Sequence, residues 1–307
     1  MTGAPRVGMN TTLKDATFPE ILGQEHTKEE LKSALLAAKH VILVGPPGTG
    51  KTTLAKAVAT TLPKDAPFVR VQGSPDLTAE DLLGDIDPMQ ALKHGPLSVE
   101  AFTKGKIFSA DKGILFFDEV NRCTEKLQNA LLQVLEEGHA TIGSYDVDFP
   151  ADFLFIGTMN PDDSSTEQLS DVFLDRFDLI SVGYPETAAV EHEIVTRERA
   201  SIDGVTIPDV LQQQVISFIR ELRIDKNLDR KPSVRASIGV VDRAMTTALL
   251  RGNAEVQPAD IQSVLASVLA HRISLKPSVK YLEDPEQYIT KKFETFARDH
   301  ELEGGDP

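Results

Sequence analysis

Residues 45–52, Gly45-Pro46-Pro47-Gly48-Thr49-Gly50-Lys51-Thr52, match the pattern G-x-x-x-x-G-K-[ST] at every defined position. Few sequence features restrict a fold as tightly, because this loop works only between a strand and a helix. Both are written into its flanks. His40-Val41-Ile42-Leu43-Val44 is a short β-branched run that reads as a buried strand, and from Thr53 to Leu62 the apolar residues Leu54, Val58 and Leu62 recur at helical spacing. The glycines let successive backbone N–H groups turn inward as an anion-binding nest, and the helix N-terminus adds positive potential. Lys51 is then placed to reach the β- and γ-phosphates of ATP, and the Thr52 hydroxyl to ligate Mg²⁺.

Hydrolysis needs a second set of groups. Gly113-Ile114-Leu115-Phe116-Phe117-Asp118-Glu119 is an apolar run ending in acids, which reads as a central parallel strand with its carboxylates at the C-terminal edge of the sheet. Asp118 would hold Mg²⁺, directly or through water, and Glu119 would polarise the attacking water. Acids also follow strands simply as loop residues; the upstream phosphate loop favours the catalytic assignment. A third run, Phe153 to Thr158, ends at Met159-Asn160-Pro161. On spacing alone Asn160 is as much a turn residue as a group that orients water.

Composition bounds the alternatives. With 307 residues the chain has room for one large domain or two ordinary ones. No apolar run approaches the ~20 residues of a membrane span, and the N-terminus lacks a signal-peptide pattern. The single cysteine, Cys123, excludes an intrachain disulfide and reads as a small buried residue. These features lead us to expect a cytoplasmic protein. A formal net charge of −15 argues against a broad nucleic-acid-binding surface. One segment runs the other way: from Pro88 to Lys112, Lys93, Lys104, Lys106 and Lys112 outnumber Glu100 and Asp111.

Taken together these motifs resemble the AAA+ ATPases, and within them the magnesium-chelatase I-subunit and MoxR branch. Phe18-Pro19-Glu20-Ile21-Leu22-Gly23-Gln24-Glu25 is similar to the segment that cradles adenine in that family, which adds Gln24 to the nucleotide-binding set with residues 45–52 and Thr53. Gly113 to Arg122 resembles the branch's Walker B stretch, and Gly157 to Pro161 its sensor 1, with Asn160 in the sensor position. Phe173-Leu174-Asp175-Arg176-Phe177-Asp178 resembles the arginine-finger motif, which implies Arg176 as the finger. Pro232-Ser233-Val234-Arg235-Ala236 resembles the start of the sensor 2 helix, which implies Arg235 as sensor 2. Val256 to Ile261, running on to His271-Arg272, resembles the closing lid helix. The resemblance spans residues 18 to 272.

Strands are expected near 41–44, 68–71, 113–117, 153–158 and 179–182 with helices between most of them, an α/β pattern that implies a parallel sheet covered on both faces. Within this core, 18–184, lie an insert at 85–112 and a hairpin at 139–152 turning at Gly143-Ser144. Asp76 to Gly84 resembles the stretch that precedes the helix-2 insert of the same branch. Helices at 186–200, 208–222, 234–251 and 259–272 make a helical lid, 185–273, with 223–233 as a loop. Ser233 is a candidate N-cap and Gly252 a stop for the third of them. Residues 1–17 are expected to be flexible, and 274–307 to form a partly disordered extension with one helix to about Asp299.

By resemblance, such a chain is a Mg²⁺-dependent motor whose ATP sits between neighbouring subunits of a ring, expected to be a hexamer. It would remodel a partner carrying a von Willebrand factor A domain, in protein maturation or metal insertion. A DNA-translocating motor is the alternative. A peptide-threading unfoldase ranks last, because Gln72-Gly73-Ser74-Pro75-Asp76-Leu77, after the second strand, has no aromatic residue.

Overall fold

A computed structural model of the chain describes residues 13–95, 98–141, 148–161 and 169–300. The chain divides into two compact units, 1–46 with 50–182, and 47–49 with 183–307.

In the first unit the strands run β1 (His40–Val44), β2 (Phe68–Gln72), β3 (Gly84–Ile86), β4 (Phe102–Lys104), β5 (Ile114–Asp118), β6 (His139–Thr141), β7 (Asp148–Pro150), β8 (Leu154–Met159) and β9 (Phe177–Ser181). Five of them form one sheet in the order β2-β5-β8-β1-β9, with every neighbouring pair parallel. Parallel neighbours need crossover connections, so both faces must be covered. The side chains alternate accordingly. Ile42, Leu115, Phe117 and Phe155 join one apolar cluster, and Val41, Leu43, Ile114, Phe116, Leu154 and Ile156 join the other. Helices Glu25–Leu36 and Lys51–Ala59 close the second cluster; helix Glu125–Glu137 closes the first through Leu127, Leu131 and Val134. The five expected strands fall within two residues of those observed.

The insert adds a two-stranded sheet, and its Ile107 and Phe108 join the first of the two apolar clusters. β3 pairs antiparallel with β4, and between them helix Pro88–His94 starts at Asp87, whose side chain accepts from the amides of Met89 and Gln90. β6 pairs antiparallel with β7. The turn expected at Gly143-Ser144 lies outside the described residues, as do the first twelve residues and the tail after 300.

The second unit is built on helices Ala188–Glu198, Asp209–Ile224, Val234–Leu250, Pro258–Leu269 and Pro285–Asp299. They share one core, to which the last contributes Tyr288, Ile289, Phe293 and Phe296. Residues 223–233 hold a short strand, β10 (Leu228–Arg230), antiparallel to β11 (Ser274–Leu275), where the sequence suggested only a loop. Three residues are too few to show a period. Ser233 does stand at the N-cap of Val234–Leu250, but its hydroxyl makes no capping bond. Gly252 ends that helix in a left-handed conformation, φ 77°.

A buried ion pair lies within this unit. Glu191, fully buried, accepts two hydrogen bonds from Arg223, at 2.6 and 2.7 Å, and one from Ser237 Oγ at 2.7 Å. Arg223 Nε also donates to the carbonyl of Pro232 at 2.9 Å. Three helices are thereby tied through one carboxylate.

Candidate active site

β1 leads directly into the loop, and two glycines there answer different needs. Gly45 packs so closely on β9's exit that a Cβ would lie 2.1 Å from the carbonyl oxygen of Val182. Gly50 has open space around it but sits at φ 91°, a left-handed conformation that glycine takes without strain, and it is the N-cap of helix Lys51–Ala59. The Gly45 amide donates to the carbonyl of Met159 at 3.1 Å, which ties the loop to the end of β8. Lys51 Nζ donates to the carbonyls of Gly45 and Pro46, both at 2.7 Å, so the ammonium lies over the loop it belongs to. Thr52 is half-buried and Thr53 exposed at the start of the helix.

The carboxylates come from β5, which sits between β2 and β8 and is buried along its whole length. Asp118 is buried as the last residue of that strand. Its Oδ1 accepts from Thr158 Oγ1 at 2.6 Å and lies 3.4 Å from Thr52 Oγ1; its Oδ2 pairs with Arg70 Nη2 at 2.8 Å. Glu119 leaves the strand at φ 57°, ψ 53°, a left-handed conformation that non-glycine residues rarely adopt. Its carboxylate accepts from Gln72 Nε2 at 2.9 Å and pairs with Arg122 at 3.3 Å. Gly73, just after β2, leaves room for this bend: a Cβ on it would lie 2.1 Å from the Glu119 carbonyl oxygen. Asn160 follows β8 directly, and its carbonyl accepts from the buried Asn121 side chain at 3.1 Å.

Lys51, Thr52, Asp118, Glu119 and Asn160 are thus brought to one edge of the sheet, the C-terminal ends of β1, β5 and β8. Gln24, buried and left-handed at φ 56°, precedes helix Glu25–Leu36. Thr27 on that helix donates to the carbonyl of Ser181 at 3.1 Å, which anchors it at the same edge. Arg176 is not there. It precedes β9, at the opposite edge, exposed, and pairs with Glu136 and with Asp175. Arg235 belongs to the second unit, exposed as the second residue of helix Val234–Leu250. Arg70, Gln72, Asn121 and Thr158 were not singled out from the sequence. The one available signal was position: Gln72 closes β2 and pairs across with Asp118.

The donor set suits a hard cation held jointly with phosphates. A hydroxyl and a carboxylate converge beside the loop lysine, and among the described residues no group of three or more His, Cys, Asp or Glu side chains could hold a metal alone. Mg²⁺ is usually bound in this way, through one or two protein oxygens plus substrate phosphates and water.

The profile of the AAA domain (dynein-related subfamily) matches residues 40–177, and that of an AAA lid domain matches 220–291. Chaperone MoxR1 of Mycobacterium tuberculosis is 32% identical across 93% of this chain and 82% of its own length. The chain belongs to the MoxR and magnesium-chelatase branch of the AAA+ ATPases. Other relatives of this ATPase include magnesium-chelatase subunit ChlI-1 of Arabidopsis thaliana, 28% identical over 85% of the chain and 74% of that protein. Protein MoxR of Paracoccus denitrificans is 26% identical over 84% and 86%. Among solved structures, the Thermotoga maritima RuvB Holliday junction branch migration motor aligns at TM-score 0.53 and 23% identity, over 84% of the ATPase and 74% of that chain. That likeness concerns the fold alone. The MoxR-branch ATPase binds and hydrolyses nucleotide, and among its described residues no helix is long and apolar enough to cross a membrane.

Proposed function

We propose that this ATPase is a ring-forming motor that uses Mg²⁺-dependent hydrolysis to remodel a partner protein. The observation that carries the proposal is the division of its candidate site residues between two edges of one sheet. Lys51, Thr52, Asp118 and Glu119 stand at the C-terminal edge, and Arg176 at the other. In parallel register, His40 pairs with Phe177 and Val44 with Ser181. Gly45 therefore follows the end of the ladder at which Arg176 is absent. An arginine so placed serves a neighbouring subunit's nucleotide in a head-to-tail interface.

At the nucleotide, Lys51 and the amides of residues 45–53 bind the phosphates, and Gln24 lies on the adenine side. Thr52 and Asp118 would hold Mg²⁺, which would supply positive charge beside the phosphates. Glu119 polarises the attacking water once its carboxylate leaves Gln72 or Arg122, and Asn160 orients that water. Arg176 from the neighbour and Arg235 stabilise the charge that develops on the γ-phosphate. Turnover would move the insert 85–112 and the hairpin 139–152 against the partner.

By the family resemblance the partner carries a von Willebrand factor A domain; the similarity to a chaperone and to a magnesium-chelatase subunit supports a role in protein maturation or metal insertion. Glu119→Gln loaded with ATP should sediment as a ring and bind such a domain, and Lys51→Ala should do neither. A Glu119→Gln protein that stays monomeric at saturating ATP would refute the motor. The DNA-translocating alternative predicts salt-sensitive DNA binding that Lys93, Lys104 and Lys106 to serine abolishes. We expect no DNA affinity at physiological salt.

A further inference from the structure

We infer that Thr158 is a positioning residue for the hydrolytic centre, its hydroxyl setting the Asp118 carboxylate and the Glu119 backbone in a single geometry. The inference rests on the roles assigned above to those two acids.

Thr158 is 1% exposed, near the end of β8. The β5–β8 ladder runs in register from Ile114↔Leu154 to Phe117↔Gly157 and stops there. Beyond it the Glu119 amide turns away into its left-handed conformation. Thr158 Oγ1 accepts from that amide at 2.9 Å and gives its own proton to Asp118 Oδ1 at 2.6 Å. A hydroxyl has one proton and two lone pairs. Here the proton is committed to the carboxylate and a lone pair to the amide, so one buried atom joins the two acids.

Two features give this bond a role beyond packing. Asp118 Oδ1 is the oxygen that faces Thr52, 3.4 Å away, so Thr158 orients the carboxylate edge turned toward the loop. Glu119 is held in a conformation that persists only when its surroundings over-determine it. Its N–H on Thr158 supplies that constraint from β8, and the Gly73 contact supplies one from β2. Thr158 lies one residue before the end of β8, and Asn160 follows that end directly. The strand that leads into Asn160 therefore also holds the Asp118 carboxylate and the Glu119 backbone.

The test compares Thr158→Ser, which keeps the hydroxyl, with Thr158→Ala, which lacks it. Thr158→Val, which keeps the volume, carries the comparison if Thr158→Ala unfolds. Three quantities are read on the full chain: ATP turnover, nucleotide affinity without metal, and Mn²⁺ affinity by electron paramagnetic resonance with a non-hydrolysable ATP analogue. Loss of a hydrogen bond to a charged group should lower turnover and Mn²⁺ affinity roughly 10- to 100-fold in the alanine or valine variant, with metal-free nucleotide affinity within about two-fold. Serine should recover most of both. Parent-level turnover and Mn²⁺ affinity in Thr158→Ala, or a folded Thr158→Ser as impaired as Thr158→Ala, overturns the inference. Asp118→Asn and Glu119→Gln are measured alongside. If those two retain parent turnover, the assignment of the acids fails; if they lose it while Thr158→Ala does not, only the role of Thr158 fails.

Discussion

Removing the Arg176 guanidinium should cripple hydrolysis without touching the subunit's own nucleotide site, and the sheet geometry says why. Phe177 pairs with His40 and Ser181 with Val44. Arg176 thus stands one step before the paired segment and Gly45 one step after it. Six strand steps at ~3.3 Å separate the two levels by roughly 20 Å, beyond the length of an arginine side chain. Arg176 is also already engaged by Glu136 and Asp175, on its own edge. Arg176→Ala should therefore bind ATP like the parent while turnover falls about 10³-fold or more, the scale of an arginine finger. Lys51→Ala should fail for the opposite reason, with the finger intact and the phosphate cradle lost. In a head-to-tail ring mixed equally from both variants, about one quarter of the interfaces join an intact loop to an intact finger. Phosphate release should then rise toward that fraction of the parent rate. Mixtures that exchange subunits by a labelled-protomer assay yet show no more activity than either variant alone would refute action in trans, as would Arg176→Ala at the parent rate.

Gly45→Ala should abolish nucleotide binding in a calorimetric titration, because its Cβ would lie 2.1 Å from the Val182 carbonyl oxygen and force the exits of β1 and β9 apart. Arg223→Met should destabilise the second unit by about 3 kcal/mol in chemical unfolding, since it leaves the buried Glu191 carboxylate with only the longer Arg220 pair and the Ser237 hydroxyl. Burial pushes the Asp225 carboxyl up, but hydrogen bonds from Lys292, Tyr288 and the Asn227 amide, with the Lys292 charge, outweigh it and hold the group below its ordinary value. Its contribution is therefore fully present above roughly pH 4 and is lost as pH falls through the lowered value. Asp225→Asn should flatten this acid limb, read by hydrogen exchange on helix Pro285–Asp299, which Tyr288 and Lys292 tie to Asp225 at 2.6 and 2.8 Å.

The strand, loop and helix around Lys51 were legible because each is local: a β-branched run, a fixed spacing of glycines, and a helical period follow one another within a few turns. The acids of β5 were legible for the same reason, as the end of an unbroken apolar run. Thr158 and Gln72 were not, because their contacts with Asp118 and Glu119 are set by which strands lie side by side. That order, β2-β5-β8, is not carried by any local pattern. β10 is too short to show alternation, and its partner β11 lies more than forty residues away. One helix ending near Asp299 was expected, and its buried face is Tyr288, Ile289, Phe293 and Phe296. That this face meets Phe218, with ring centroids 5.1 Å apart at Phe293, could not be read from the sequence. Arg176 is instructive in another way. Beside its sequence neighbour Asp175 the fold gives it Glu136, from helix Glu125–Glu137 some forty residues upstream.

The central claim is that Lys51 holds the nucleotide while Glu119 serves only its hydrolysis. Glu119→Gln and Lys51→Ala, compared with the parent by ATP titration and by phosphate release, test it most directly. Glu119→Gln should bind ATP with parent affinity and release almost no phosphate, because the loop, Thr52 and Asp118 are untouched while the water-polarising carboxylate is gone. Lys51→Ala should bind weakly and release none. A Glu119→Gln protein that hydrolyses ATP at the parent rate, or a Lys51→Ala protein that binds ATP as tightly as the parent, would contradict the account.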